Sequence, residues 1–271
     1  MPDPTSAFTG SIPVVYDEHL VPVVFRPYAA VLAARVATWS PDRVLEVAAG
    51  TGALTRELAE RLPAADIAAT DLAPPMVERG AASTGSARVR WQQADAQDLP
   101  LADASVDVWV CQFGIMFVPD RARAYREAHR VLRPGGHLLL STWGPLAGNG
   151  FAQVLDEALT AWRPADPPTF VRDVPHGYAD PDRVRADLTA AGFSDVQVDV
   201  VDLESRGVSA HAVATAFLMG TPAGDPARRE GPTALAEVVA AVAGALEQRY
   251  GSGELAAPMR ALLAQGARPH A

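Results

Sequence analysis

Three carboxylates stand at comparable places in the first half of the chain, each at the close of a strand-length run. Glu46 follows Val44-Leu45, Asp71 follows Ile67 to Thr70, and Asp95 comes just after Val89 to Gln93. Between Glu46 and the amphipathic stretch Ala53 to Leu62 lies Ala48-Ala49-Gly50-Thr51-Gly52. Gly50 and Gly52 let the backbone turn sharply and let a ligand approach where a Cβ would stand in the way. The N-terminus of a following helix leaves unpaired N–H groups facing that space. A polar small molecule belongs there. Asp71 stands 25 positions after Glu46, where a second parallel strand would bring a carboxylate beside the first turn, and a carboxylate can accept from both hydroxyls of a ribose. A fourth apolar run, Val106 to Cys111, leads into Gln112-Phe113-Gly114.

Other chemistry is poorly represented. His129 and His137 sit in a helix and at the head of a strand, which reads as structural. His19, His176 and His211 lie in segments able to wall a pocket. No Cys/His group has metal-ligand spacing and no Gly-x-Ser-x-Gly turn occurs, so metal and covalent catalysis are disfavoured.

These residues need a scaffold that gathers strand ends at one rim. Strand and helix patterns alternate from Arg43 to Trp143 with short connections. Leu54, Leu58 and Leu62 give the first helix an apolar face, Asp120 to Leu132 forms another helix, Arg133-Pro134-Gly135-Gly136 breaks the pattern, and His137 to Trp143 is a fifth strand. Such alternation is the pattern of a doubly wound parallel sheet, whose ligands bind at the carboxyl ends of the strands. Before this core, Met1 to Pro13 reads as a loose arm. Tyr16 to Thr38 has helical periodicity that Pro22 and Pro27 should break or kink. After it come helices Phe151 to Trp162, Pro181 to Ala191, Ser209 to Met219 and Ala234 to Glu247. Arg163 to Pro175 reads as irregular and Thr221 to Pro232 as a turn-rich linker. Val196, Val198 and Val200 alternate as a strand, and Ala257 to Ala267 can supply another.

Composition bounds the class. The chain has 271 residues, net charge −9, and 23 basic residues that are all Arg. The charge balance offers no cationic patch suited to a phosphate backbone, so nucleic acid is not an expected partner. The single Cys111 cannot form an intramolecular disulfide. No signal-like segment or 18-residue apolar span is evident, and the expectation is a cytoplasmic protein without membrane association. Nothing in the pattern speaks to oligomeric state.

Over roughly Tyr16 to Trp143 the chain resembles the class I S-adenosylmethionine-dependent methyltransferases, in particular the small-molecule branch. The matching motifs are the acid-x-Gly-x-Gly-x-Gly turn, here Glu46 to Gly52, and the Leu-Arg-Pro-Gly-Gly lead into the fifth strand, here Leu132 to Gly136. Ala48 replaces the first glycine and should narrow the space beside the methionine part of the cofactor. The resemblance implies an α/β, doubly wound, mostly parallel seven-stranded sheet with an N-terminal helical cap and inserted lid helices. In terms of segments, 1–40 is the cap, 41–145 the S-adenosylmethionine-binding core, and 146–271 the lid helices and the completion of the sheet. It also implies roles. Glu46, Ala48, Gly50, Thr51 and Gly52 shape the turn around the cofactor's amino-acid end. Asp71 takes the ribose, Leu72 and Met76 flank the adenine, and Asp95 with the Ala96 N–H reads its edge. Gln112 and Phe113 stand where the methyl group is presented.

The expected reaction is direct displacement of that methyl by O, N or C of a small acceptor, with alignment contributing roughly 7–11 kcal/mol. Acceptor recognition is expected outside the rim, from Tyr16, His19 and Phe25 before the core and from Trp162, Phe170, His176 and Tyr178 after it. His176 is the candidate base. A non-catalytic cofactor-binding protein and a nicotinamide oxidoreductase remain the alternatives at this level; the second lacks the third glycine of its usual turn.

Overall fold

A computed structural model describes residues 12–270. Seven strands form one sheet: β1 (Arg43–Val47), β2 (Asp66–Asp71), β3 (Val89–Gln93), β4 (Val106–Gln112), β5 (Leu132–Trp143), β6 (Ser194–Gly207) and β7 (Leu255–Ala267). Their order is β3-β2-β1-β4-β5-β7-β6, so the winding reverses between β1 and β4. All pairs from β3 to β5 are parallel, whereas β7 runs antiparallel to both β5 and β6. The apolar stretches foreseen as strands are therefore strands, and their carboxyl ends share one rim.

Helices cover the sheet: α1 (Ile12–Val15), α2 (Arg26–Ala37), α3 (Ala53–Arg61), α4 (Pro74–Ser83), α5 (Arg121–Val131), α6 (Gly150–Trp162), α7 (Phe170–Asp173), α8 (Pro181–Ala190), α9 (Ala210–Gly220), α10 (Asp225–Glu230) and α11 (Pro232–Tyr250). Caps fall where side-chain chemistry places them. Asp120, Asp180 and Ser209 accept from the first-turn N–H groups of α5, α8 and α9.

The N-terminal segment departs from expectation. Pro22 and Pro27 do not interrupt it; Ile12–Ala37 is one continuous helical run of 26 residues. Tyr16–Phe25, which contains Pro22, is a π-helix joining α1 to α2, and Pro27 lies in the first turn of α2. The wider π turn accommodates a residue that has no N–H and whose ring would press on the carbonyl one turn back. Pro27 has no N–H to offer the Val23 carbonyl, which accepts instead from Ser205 Oγ of β6 at 2.8 Å. Ile12 and Pro13, assigned to a loose arm, begin this run, while positions 1–11 of that arm lie outside the described residues. The run is also long and apolar enough to cross a membrane by length and composition, contrary to the sequence reading, because only Arg26 and Arg35 interrupt its apolar part. Half of that window is buried within the fold. Tyr28, Ala29, Leu32, Ala33 and Val36 of α2 are fully buried and belong to the main core with Val44, Leu45, Trp109 and Leu138.

Two further segments differ. Arg133 to Gly136 does not break the pattern but bulges within β5, since Val106 pairs with Leu132 and Val108 with His137. Gly135 takes φ 75°, and it exchanges backbone bonds with the chain's end: its N–H donates to Arg268 O, and Arg268 N–H donates to Gly136 O, both at 2.8 Å. The linker Thr221 to Pro232 instead holds the turn Pro222–Gly224 and helix α10. Together with α6, α9 and α11 these build a second apolar cluster, including Phe151, Leu155, Val213, Leu218, Val242 and Leu255. The lid thus has a core of its own.

Tyr28 fastens the N-terminal helix to the antiparallel edge: its hydroxyl lies 2.9 Å from the carbonyls of both Val201 and Met259. Tyr28→Phe removes this donor and should lower unfolding free energy by about 1 kcal/mol, read as a reduced urea midpoint at unchanged slope. An unchanged midpoint would show that the phenol contributes nothing beyond its ring.

Candidate active site

The rim loops meet in a cavity of about 560 Å³, within the range of roughly 300–1,000 Å³ usual for small-molecule sites. Its walls come from the loops after β1, β2, β3 and β4, from the π segment, and from the lid.

At one end stands Asp71. Its two carboxylate oxygens accept from the N–H groups of Gly50 and Ala73 at 2.8 and 2.9 Å. Burial pushes its carboxyl up, against the pull of the Ala73, Gly50 and Leu72 N–H groups. Each oxygen keeps lone-pair capacity toward the cavity, which suits a diol. Leu72 and Met76 line the wall beside it, as do Asp95 and Ala96. Asp95 is already engaged in its own turn, accepting from the Gln97 N–H at 2.8 Å and from Gln97 Nε2 at 3.1 Å. It can take a further donor only by sharing those oxygens.

Glu46 does not reach this wall. It is buried beneath the turn, where Thr55 Oγ1 of α3 donates to it at 2.6 Å. Burial pushes its carboxyl up to about 8, opposed by the Thr55 bond and the Arg56 charge. Glu46 therefore holds the loop onto α3 from below. Thr51 is buried as well, and its hydroxyl donates to Asp17 of the π segment at 2.9 Å. Arg56 and Arg79 converge on the same carboxylate at 3.3 and 3.0 Å, and Arg79 also pairs with Glu18 at 3.0 Å. The N-terminal helix is thus tied to α3 and α4 over the glycine turn. Gly52 is needed for closeness: a Cβ there would stand 3.0 Å from the Trp91 ring.

Ala48 has a consequence that the sequence pattern does not reveal. It adopts φ 50°, a left-handed conformation costly for alanine, and Phe113 does the same at φ 51°. The two loops cross between them. A Cβ on Gly114 would stand 2.3 Å from the Ala48 Cβ and 2.9 Å from Cys111 Sγ. Cys111 itself is buried, its thiol pushed up to about 12 by burial, so no thiolate nucleophile is offered here.

The middle of the cavity is aromatic. Phe113 stacks on Trp143 with centroids 3.9 Å apart and planes at 8°. Phe25 leans on both at 5.7 and 6.0 Å, and Tyr16 leans on Phe25 at 5.1 Å. Tyr16 also faces Gly50, and its phenol is pushed up by burial and by Asp71, Asp17 and Glu46, so it remains a donor. That places Tyr16 at the glycine turn as well as at the aromatic wall. Gln112 lines the cavity while its Nε2 donates to the Phe25 carbonyl at 2.7 Å, a strut between β4 and the π segment.

His176 lines the cavity beside Trp143, with ring centroids 6.2 Å apart. Its Nδ1 lies 2.9 Å from the Gly144 carbonyl. A carbonyl requires a donor, so the neutral ring carries its proton on Nδ1 and its lone pair on Nε2. Burial lowers its pKa below the ordinary histidine value, outweighing the Gly144 carbonyl and the Asp156 charge.

Phe170 also lines the cavity, within 6.3 Å of Phe117. Three other predicted pocket residues do not. His19 is exposed on the outer face of the π segment. Trp162 packs against the lid cluster under the Arg163 guanidinium. Tyr178 is buried behind the wall, its hydroxyl 2.7 Å from Asp187 and 3.3 Å from Tyr125. His211 is exposed too. Conversely Trp143, Phe117, Phe151, Phe217, Met259 and the Thr221–Arg229 segment belong to the wall and were not foreseen as pocket residues. The apolar positions of α6 and α9 gave a signal, but helical spacing alone does not say which face meets a cavity.

Comparison with known proteins agrees with this architecture. The sequence profile of the methyltransferase domain matches residues 45–140. The chain is 35% identical over 193 residues to a ubiquinone/menaquinone biosynthesis C-methyltransferase UbiE of Rubrivivax gelatinosus, covering 68% of this chain and 74% of that protein. It is 38% identical over 133 residues to a demethylmenaquinone methyltransferase of Deinococcus radiodurans, covering 48% and 55% respectively. The chain spans about half the length of the first curated relatives that it matches. Among solved structures, the YcgJ protein from Bacillus subtilis superposes with a TM-score of 0.59 at 19% identity, over 90% of this chain and all of that one. The chain belongs to the class I S-adenosylmethionine-dependent methyltransferases, and S-adenosylmethionine is the cofactor that goes with that membership.

The loop crossing yields a stability cycle. Gly114→Ala should cost about 1–3 kcal/mol through overpacking. Ala48→Gly alone should stabilise by about 0.5–1 kcal/mol by releasing the left-handed alanine. Combining them should recover more of the Gly114→Ala loss than the Ala48→Gly gain alone accounts for, the remainder staying with Cys111. Strict additivity in chemical denaturation would mean that the two loops do not press on each other.

Proposed function

We propose that this protein transfers the methyl group of S-adenosylmethionine to a nucleophilic O, N or C of a small-molecule acceptor, in the cytoplasm. The observation that carries the proposal is the single cavity that joins Asp71, Leu72 and Met76 at one end to the aromatic wall and lid at the other. S-adenosylmethionine, when bound, supplies an already activated methyl group, so the protein's work is placement and exclusion of water. Asp71 would take the ribose hydroxyls. The turn Ala48 to Gly52, with Glu46 beneath it, would hold the amino-acid end. Leu72, Met76, Asp95 and Ala96 would frame the base. Phe113 and Gln112 would fix the reacting end, with Gln112 acting through its strut to Phe25.

The acceptor half falls to Tyr16, Phe25, Phe170 and His176, joined by Trp143, Phe217 and Met259. His176 is the proposed general base, since its Nδ1 is fixed on Gly144 and Nε2 is left to receive a proton. With its pKa lowered, His176 is unprotonated at neutral pH and becomes inactive only on acidification.

Asp71→Ala should weaken S-adenosylhomocysteine binding by about 1.5–3 kcal/mol in calorimetric titration, the range for hydrogen bonds to a charged group. Absence of any binding by the parent protein at millimolar ligand would end the methyltransferase reading; equal binding by parent and variant would remove Asp71 from the site. With an acceptor that supports turnover, the parent rate should fall as pH drops through a value below 6.5, and His176→Ala should lose about 10²–10⁴-fold in kcat together with that acidic limb. A variant that keeps the limb would show that another group takes the proton.

A further inference from the structure

The lid end of the cavity carries an uneven charge that the proposed methyl transfer does not use. Helix α10 has four charged side chains, and three of them are spent within the protein. Arg228 pairs with Asp225 and also donates to the carbonyls of Leu218 and Thr221, which fixes the turn Pro222–Gly224 between α9 and α10. Glu230 pairs with Arg163 at 3.3 Å. Arg229 is left. It is exposed on the cavity wall and, among the described residues, has no hydrogen bond or ion pair. No other arginine lines the cavity among the described residues, and the acids that line it are otherwise committed. Asp225 is held by Arg228, and Asp71 and Asp95 belong to the loops after β2 and β3, which the proposed function gives to the nucleoside. The wall between Arg229 and the aromatic cluster is largely apolar, formed by residues such as Phe151, Phe170, Phe217 and Ala223.

A cation on the wall of an apolar cavity favours an anion over a neutral group, because an acid placed there gains an ion pair that its amide lacks. We infer that Arg229 selects the acceptor by an anionic group, so that the acceptor is an apolar, ring- or chain-bearing small molecule whose carboxylate or phosphate lies at the lid end, away from its reacting atom. The inference builds on the methyltransferase reading by naming the substrate class of the same cavity, but its test stands apart from that reading.

The test compares matched acids and amides: 3-phenylpropanoate with 3-phenylpropanamide, 4-hydroxycinnamate with its amide, and octanoate with octanamide, plus phenyl phosphate to separate carboxylate from phosphate preference. Each is titrated calorimetrically into the full chain with and without S-adenosylhomocysteine. The acids should bind about five- to tenfold more tightly than their amides. Arg229→Gln should reduce that gap to less than about twofold while leaving S-adenosylhomocysteine affinity unchanged, and Arg126→Gln, an exposed arginine off the cavity wall, should leave the gap intact. Three results would overturn the inference: no measurable binding of any acid or of phenyl phosphate at millimolar concentration, equal binding of acids and amides by the parent, or a preference that survives in Arg229→Gln. A failure to bind S-adenosylhomocysteine would count against methyl transfer only, since the acid–amide comparison without it still decides the role of Arg229.

Discussion

The hydrogen bond from the Gly50 N–H to the Asp71 carboxylate, at 2.8 Å, joins the turns after β1 and β2 and sets the shape of the whole rim. It forms only if the first turn comes close enough for its backbone to face the second strand's end. That closeness rests on small residues at each crossing. Gly52 and Gly80 lie under the Trp91 ring, and Gly114 lies against Ala48. Close-packed interiors transmit such constraints, so the left-handed backbone at Ala48 and Phe113 is held by its surroundings and not by local preference.

The N-terminal helix depends on the same rim. Asp17 receives Thr51, Arg56 and Arg79 at one end of the π segment, and Gln112 and Ser205 hold the Phe25 and Val23 carbonyls at the other. A π turn is rare and sits well where neighbours supply what its own backbone pattern lacks. It presents Tyr16 and Phe25 to the cavity from one face while α2 continues into the core. A single helix thereby serves packing and site together.

The lid stands on a separate apolar cluster contributed by both insertions, α6 and α7 after β5 and α9 to α11 after β6. The cavity lies where this cluster meets the sheet's core. Such a seam can vary in side chain without disturbing the strand ends, which is how one fold serves many acceptors. The chemistry permits this division. Displacement from a sulfonium asks for alignment and exclusion of water more than for acid or metal assistance, and in the proposed function the mutually packed rings of Phe25, Phe113 and Trp143 would serve both.

What the sequence determined by itself is local. The strands from β1 to β5, the glycine turn and the Asp71 position follow from periodicities of two and 3.6 and from turn chemistry, which neighbouring residues decide among themselves. Tertiary structure decided whatever depends on partners far along the chain. Pro22 and Pro27 signalled a break, yet the helix runs on, with Pro22 inside a π segment and the Val23 carbonyl, which Pro27 cannot serve, taken by Ser205, remote in sequence. Glu46 reads as a cavity residue until Thr55 and burial place it beneath the turn. Tyr178, Trp162 and His19 have the right residue types for a pocket, but the rotation of each element about its axis turns them to the core, the lid cluster and the solvent. Thr221 to Pro232 resembles a linker because its turns and charges dominate locally; only packing against α7 and α9 makes it a wall. Spacing says which residues share a face of an element, and only the packing of that element against the others says what the face meets.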